Sequence, residues 1–229
     1  MSTSRNLDDG PNEKRNESDL WHRTYASEEE VRRRSQAFPR KFGLIGIDRA
    51  PRDIAVLDMC CGHGEALNCL YEIGFRNLSG VDLEVEEKLL ADSRLRVRVG
   101  NAFHTEYPAA SFDWVLNIHS MHHFASLEGV QKFLDESFRL LKPGGRLSII
   151  DFPASPQILL AFWFFRQDWF LRTRYLKWFG KLLQEEWHFL KSYLPQWPKV
   201  RTSLLKGKFQ VESNRRRLFY FYLTLRKPS

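Results

Sequence analysis

Ile54-Ala-Val-Leu-Asp-Met-Cys-Cys-Gly-His-Gly64 is a short apolar run that ends in an acid and turns, through its glycines, into the helix-like stretch Glu65–Ile73. An acid at the carboxyl end of a parallel strand, followed by small or absent side chains, lets a nucleoside-bearing cofactor lie against bare backbone at a helix N-terminus. The glycines alone do not decide this, because phosphate loops, dinucleotide sites and plain turns use them too. The downstream order sharpens it. Leu78-Ser-Gly-Val-Asp82 reads as a second strand ending in an acid, about twenty positions on, where a carboxylate can bond both ribose hydroxyls. The turn lacks the Lys-Ser/Thr of a phosphate-cradling loop and the late third glycine of a pyrophosphate site, which points to a nucleoside ligand.

Further along, Leu95–Val99 followed by Gly-Asn-Ala-Phe103 reads as a third strand and its loop. Ser111-Phe-Asp-Trp-Val-Leu-Asn-Ile-His-Ser-Met-His-His-Phe124 gives a fourth strand and its exit. Leu140-Leu-Lys-Pro-Gly-Gly-Arg-Leu-Ser-Ile-Ile-Asp151 closes a helix with a Pro-Gly-Gly turn and opens a fifth strand. In this order the segments, over residues 50–152, resemble the class I S-adenosylmethionine-dependent methyltransferases of the type 11-like kind.

The resemblance implies an α/β fold: a Rossmann-like, seven-stranded mixed sheet with helices on both faces and the last strand antiparallel. It implies S-adenosyl-L-methionine as cofactor. The turn through Asp58, Met59, Cys60, Gly62 and Gly64 then wraps the methionine part, and Asp82, with Leu83 beside it, holds the ribose. Asn101, Ala102 and Phe103 flank the adenine, while Asn117 and Ile118 border the methionine end. Two positions depart from the family pattern: Cys60 stands at the usual first glycine, and Asn101 replaces the more usual acid. A thiol is small, and a carboxamide can still pair with an adenine edge.

A chain of 229 residues that is 43% apolar has room for one large α/β domain. Residues 1–20 are rich in Ser, Asn, Asp and Glu with no apolar core, so a disordered tail is expected there, with no secretory signal or transit peptide. A single methyltransferase domain is expected over 21–229, with a helical cap at about 155–206. Glu28–Ala37 suits a charged helix capped by Ser27. Tyr25 or Trp21, just before it, either covers the cofactor or packs the helix onto the domain; Tyr25 is counted among the cofactor-binding candidates. Cys60, Cys61 and Cys69 crowd one segment, an odd count without zinc-like His spacing, so neither a disulfide framework nor a metal site is expected. A reducing, cytoplasmic setting fits. Cys60 and Cys61 admit a redox switch or buried small-residue packing.

Beyond Phe152 the family pattern stops. Ser155-Pro156 is a helix start, and Ile158–Leu183 is dense in Phe, Trp, Tyr and Leu. On a helix, Arg166, Arg174, Lys177 and Lys181 share an arc of roughly 80°, opposite a broad aromatic side. Three readings stand for 156–183: a lid over the substrate cleft, peripheral membrane contact, or a dimer surface. The stretch does not span a membrane, since its uncharged apolar run is far below the roughly twenty residues required. Glu185–Tyr193 and Pro198–Leu205 suit helices, and Lys208–Glu212 and Leu218–Leu225 suit strands around a polar Ser213–Arg217 hairpin tip.

The formal net charge of +7 raises nucleic acid as a partner. The basic residues are dispersed, however, no recognisable binding module accompanies them, and the exit Asn117-Ile-His-Ser lacks the base-gripping Asn-Pro-Pro pattern. A small-molecule acceptor is the expected partner. Methyl transfer needs a base only where the acceptor must lose a proton. His122, then His119, at the carboxyl edge of the sheet, are the candidates, with structural capping as the other reading. The aromatic insertion favours an apolar or lipid-like acceptor, and the turn is similar to that of the ubiquinone/menaquinone-type C-methyltransferases. An RNA or protein methyltransferase and a cofactor-binding protein with lost or repurposed chemistry remain the alternatives.

Overall fold

The computed structural model describes residues 35–124, 126–155, 158–160, 163, 187, 189–217 and 220–229. Tyr25, Trp21, the tail at 1–20 and the Ser27 cap lie outside the described residues, as does the basic stripe of Arg166, Arg174, Lys177 and Lys181.

Seven strands, β1 (Ala55–Met59), β2 (Asn77–Asp82), β3 (Arg96–Val99), β4 (Phe112–Ile118), β5 (Leu141–Asp151), β6 (Gln210–Arg217) and β7 (Tyr220–Arg226), form one sheet. Their order is β3-β2-β1-β4-β5-β7-β6. The pairs from β3 to β5 are parallel, and β7 runs antiparallel to both β5 and β6. This is the Rossmann-like methyltransferase topology. β1 is an interior strand and is buried at every position, as a strand covered on both faces must be.

Alternation along β1 sends Leu57 and Met59 to one core and Val56 to the other. The first core packs the sheet against α4 (Leu127–Leu140) and α5 (Trp197–Lys206), through Val130, Phe133, Leu134, Val200 and Leu204. The second packs it against α1 (Phe38–Ile45) and α2 (Glu65–Glu72), through Phe42, Ile45, Leu67 and Leu70. A short α3 (Glu87–Leu90) follows β2. The reversal of strand order between β1 and β4 opens a crevice at their carboxyl ends, where ligands bind in such sheets.

Two elements differ from expectation. α1 was not foreseen: it is one short amphipathic turn pair with a proline near its start and Gly46 at φ 84° as its left-handed stop. Ser213–Arg217 is not a hairpin tip but the second half of β6. β6 is the sheet edge and is exposed along nearly its whole length, so charged side chains there face water and guard the edge against further pairing. The turn at Pro143-Gly-Gly145 appears as a bulge in β5, where pairing with β4 shifts between Phe112 and Trp114.

A buried polar chain crosses the sheet. Trp114 Nε1 donates to Ser148 Oγ at 3.0 Å, Ser148 and Thr224 hydroxyls lie 3.1 Å apart, and Thr224 Oγ1 reaches the carbonyl of Ile45 at 3.4 Å. It joins β4, β5 and β7 to an end carbonyl of α1 that no helix bond can satisfy. On the other face Glu136 of α4 accepts the backbone and hydroxyl of Thr105 at 2.8 and 2.7 Å and pairs with Arg139 at 2.7 Å. These bonds pin the loop after β3 to α4. Among the described residues no helix is long and apolar enough to cross a membrane. Leu159, Leu160 and Trp163, at the start of the insertion, are 47%, 63% and 62% exposed.

Burial by itself would raise the pKa of Glu136, but Arg139 and the two Thr105 bonds outweigh it and hold the carboxyl at about 2, against an ordinary 4.5. A depressed carboxyl contributes stability that is full above pH 4.5 and lost as pH falls towards 2. Glu136→Gln should therefore lower the urea midpoint at pH 7 and flatten its decline between pH 4.5 and pH 2. Parallel declines of the two proteins would contradict this.

Candidate active site

The turn after β1 is built by the backbone. The amides of Cys60 and Cys61 both donate to the carbonyl of Val81, at 2.8 and 3.2 Å, which ties the turn to the end of β2. Cys60, Gly62 and Gly64 have φ of 65°, 52° and 75°. Cys60 thus adopts a left-handed conformation at the position where the family pattern has glycine, at a cost of about 1–2 kcal/mol. Gly64 is the N-cap of α2, and a Cβ there would lie 2.7 Å from Leu89 Cδ1. At Gly80 a Cβ would meet Leu67 at 2.8 Å and the Cys61 sulfur at 2.9 Å, so α2 rests directly on bare β2 backbone.

Asp82 closes the arrangement. Its Oδ2 accepts the amide of Gly62 at 2.8 Å, and its Oδ1 receives only a long 3.4 Å contact from Glu84. The next loop is attached at the same point, because the amide of Gly100 donates to the Asp82 carbonyl at 2.8 Å. Burial raises the Asp82 pKa, with the amides of Gly62, Glu84 and Leu83 and the nearby His123 pulling the other way. Asp58, buried at the end of β1, is pushed well above the carboxylate range by burial, then by Asp82 and Glu65. The three acids crowd one turn, and burial and mutual repulsion disfavour full ionisation of Asp58 there.

Asn117 of β4 donates from Nδ2 to the carbonyl of Met59 at 3.1 Å and to Ser120 at 2.8 Å. Asp58 Oδ1 and Asn117 Oδ1 are buried acceptors with no hydrogen-bond partner among the described residues. Unpaired buried acceptors are costly, and a ligand carrying an ammonium or other cation would satisfy them. S-adenosylmethionine, a nucleoside with a cationic amino-acid tail, fits this donor set: ribose hydroxyls at Asp82, and positive charge near Asp58 and Asn117.

The other expected residues fall around this turn in different ways. Met59 is fully buried, its sulfur taking the Ser137 hydroxyl at 3.6 Å. Ile118 is half-buried at the end of β4. Leu83 faces solvent at 68% exposure. Asn101 spends its Oδ1 on the amide of Phe103 at 2.8 Å, so its NH2 group is what remains for a base edge. Ala102 is buried, and the Phe103 ring stands edge-on to Phe124 at 5.2 Å.

The histidines part company. His122 is buried beneath the turn Met121–Phe124, its Nδ1 2.7 Å from Asp151 Oδ1 and its backbone N–H 3.0 Å from Asp151 Oδ2. Asp151 also accepts the amide of Phe152 at 2.7 Å, so the carboxylate is surrounded by donors. The carboxylate oxygen is an acceptor, so it favours a proton on Nδ1. His119, at φ 57°, lies against Tyr220 at 4.5 Å with its Nε2 2.8 Å from Lys41 Nζ. His123 stacks on Phe189 at 4.2 Å.

Sequence reasoning did not foresee Asp151 as the partner of His122. The available signal was an acid ending β5 beside a histidine in the loop leaving its neighbour β4. All three cysteines are unbridged. Burial pushes the Cys60 thiol up, with Asp82 adding to it; Cys61 is raised likewise, and Cys69 is pushed up to about 11 by burial and Glu72. Thiols held protonated are poor nucleophiles, which favours the packing role. Among the described residues no group of three or more metal-binding side chains occurs.

The order of the sheet and the crevice define a class I methyltransferase fold. Comparison with known proteins carries this further: residues 57–149 match the family model described as a methyltransferase domain. The chain is 29% identical over 110 residues to the 27-O-demethylrifamycin SV methyltransferase of Amycolatopsis mediterranei, 44% of this chain and 39% of that one. It is 29% identical over 129 residues to the chloroplastic 2-phytyl-1,4-beta-naphthoquinone methyltransferase of Arabidopsis thaliana, 51% of this chain and 47% of that one. The match thus spans less than half the length of either relative.

Among solved structures, the Burkholderia thailandensis 1,6-didemethyltoxoflavin-N1-methyltransferase, with S-adenosylhomocysteine bound, superposes with a TM-score of 0.57 at 18% identity, covering 100% of this chain and 94% of that one. A SAM-dependent methyltransferase of Methanosarcina mazei gives 0.57 at 17% identity, over 80% and 97% of the two chains. Residues 57–149 thus resemble a methyltransferase domain, and the chain shares its fold with solved S-adenosylmethionine-dependent methyltransferases.

Gly64→Ala should cost about 1–3 kcal/mol in urea unfolding, part from the left-handed φ and part from the Leu89 clash. Adding Leu89→Ala should recover the tolerance of the Cβ but not the backbone term. A Gly64→Ala protein as stable as the parent would refute the close packing.

Proposed function

We propose that this protein is an S-adenosylmethionine-dependent methyltransferase acting on a small, apolar or lipid-like acceptor. The observation that carries the reading is the pair of orphaned buried acceptors, Asp58 Oδ1 and Asn117 Oδ1, set beside an Asp82 carboxylate that still has an oxygen to give. In this reading Asp82 bonds the ribose, with Leu83 at the rim. Asp58, Met59, Cys60, Gly62 and Gly64 wrap the amino-acid end, Asn117 and Ile118 border it, and Asn101, Ala102 and Phe103 face the adenine.

The cofactor supplies an electrophilic methyl group on a sulfonium, a leaving group that needs no acid. What remains for the chain is to align the acceptor and exclude water, which can lower the barrier by several kcal/mol. Where the acceptor carries a proton, His122 is the candidate base, and the Asp151 carboxylate at its Nδ1 orients the imidazole and offsets the charge it would gain. His119, engaged with Lys41 and Tyr220, is the weaker candidate for that role. The apolar acceptor is supported by the exposed Leu159, Leu160 and Trp163, which offer a greasy approach at the start of the insertion. Both sequence relatives, a rifamycin and a naphthoquinone methyltransferase by name, accord with a small-molecule acceptor.

Asp82→Asn should weaken S-adenosylmethionine binding by about 1–3 kcal/mol through loss of charge-assisted bonds, as read by calorimetry. Unchanged affinity would sink the ribose assignment. Cell extract supplied with methyl-labelled cofactor should place label in the organic-soluble fraction; label confined to RNA or protein would replace this acceptor class with a macromolecule. His122→Gln and Asp151→Asn should both lower kcat about 100-fold or more while leaving cofactor affinity intact. Full turnover in His122→Gln would leave His122 a structural residue.

A further inference from the structure

At the amino-terminal ends of β1 and β4, the sheet edge opposite the cofactor crevice, a cavity of about 740 Å³ lies between the turn after α1 and the strands β4, β5, β7 and β6. Its lining carries four arginines, Arg49, Arg146, Arg215 and Arg226, against two acids, Asp113 and Glu212. Strand register gathers three of the four. Thr224 points its hydroxyl at the Ile45 carbonyl of α1, and side chains two positions away along a strand share its face. Arg226 of β7 is therefore on the α1 side of the sheet, and Arg146 of β5 stands directly opposite it. Arg215 lies two positions beyond Ser213, the partner of Thr224 on β6. Arg49 comes from the Ile47–Arg49 turn that follows α1.

The chain does not neutralise this cluster itself. Asp113 is taken by Lys142 at 2.8 Å and by the amide of Ala55 at 2.9 Å. Glu212, the extra residue where the register of β6 shifts, clasps Arg146 through bonds of 2.7 and 2.9 Å, while that guanidinium covers the Trp114 ring at 5.2 Å. Those bonds, then the charges of Arg146 and Arg226, hold the Glu212 carboxyl below its ordinary range against burial. One carboxylate thus serves two guanidinium groups that face each other across a strand pair, a like-charge arrangement that costs stability. Among the described residues the side chains of Arg49, Arg215 and Arg226 make no hydrogen bond or ion pair. A carboxylate on Ser229, which also lines the cavity, would still leave the arginines in excess. A Cβ on Gly144 would lie 3.7 Å from Arg226 Nη2, so this fork rests over bare backbone where an oxyanion can come close.

We propose that this cavity is a binding site for a small soluble ligand bearing two or more phosphate groups. Guanidinium forks match phosphate oxygens bidentately, and the one carboxylate of Glu212 occupies only the Arg146 fork. The three remaining forks, spread over two strands and a turn, call for an anion with several oxygens, and the cavity has room for one. Bound phosphate relieves the repulsion between Arg146 and Arg226, so occupancy stabilises the fold. The site shares no residue with those assigned to the cofactor or the acceptor and does not depend on the methyltransferase reading.

The test is calorimetry of the full chain with sodium pyrophosphate at about 0.15 M salt, where well-separated surface charges are largely screened. The wild type should bind the probe at a single site and melt at a higher temperature in its presence. Arg215→Gln/Arg226→Gln should bind about tenfold more weakly or worse, and Arg215→Gln alone, on the exposed edge strand, should lose several-fold. Lys199→Gln/Arg201→Gln, which removes the same charge from α5 on the other face of the sheet, should bind as the wild type does. S-adenosylhomocysteine should bind the double arginine variant as it binds the wild type and should not compete with pyrophosphate. No binding by the wild type, an equal loss in the α5 variant, or full affinity in the double arginine variant would each overturn the proposal. Competition by S-adenosylhomocysteine would put the probe in the cofactor crevice and overturn it as well. Sedimentation with vesicles of phosphatidylcholine and phosphatidic acid that is lost in the double arginine variant would replace the soluble ligand with a lipid headgroup.

Discussion

The bond from the Gly62 amide to the Asp82 carboxylate, 2.8 Å long, is the constraint on which the site depends. It holds a turn with three left-handed residues, one of them a cysteine, against the end of the neighbouring strand. Val81 reinforces it by receiving the amides of Cys60 and Cys61, and Asp82 passes the constraint on by receiving Gly100 at its own carbonyl. One residue pair thus sets the positions of the turn after β1, the end of β2 and the loop after β3. One carboxylate oxygen is bonded firmly to Gly62, and the other takes a long 3.4 Å contact from Glu84.

Behind this front the sheet is made rigid by means that have no chemical role. The Trp114–Ser148–Thr224 chain and the Glu136–Thr105–Arg139 cluster are satisfied polar groups that fix helix and loop positions on opposite faces. The site itself is different in kind. Asp58 and Asn117 each keep a buried polar atom without a partner among the described residues, and both lie near the carboxyl ends of their strands.

Much of the fold was legible in the sequence because β1, β2, β4 and β5 are apolar runs ended by acids, glycines or polar residues at regular intervals. The seven strands and the antiparallel last strand followed from the resemblance and are present. α1 escaped because its eight residues mix Pro, Arg and Lys with four apolar positions, a pattern too short to be read as a helix by period alone. The second half of β6 escaped because an edge strand carries the composition of a loop. In the site, Asp82 and the turn were legible since they lie within one βαβ unit. The His122–Asp151 pair was not, because the two residues are 29 positions apart and meet only through the register of β4 on β5.

The most direct measurement of the central claim is a crystal structure of the protein with S-adenosylhomocysteine. The ribose hydroxyls should lie on the Asp82 carboxylate with the Gly62 bond preserved, and the amino-acid ammonium should lie within hydrogen-bonding distance of Asp58 Oδ1 or Asn117 Oδ1. A ligand bound elsewhere, or one that leaves both of those oxygens unpaired, would contradict the account.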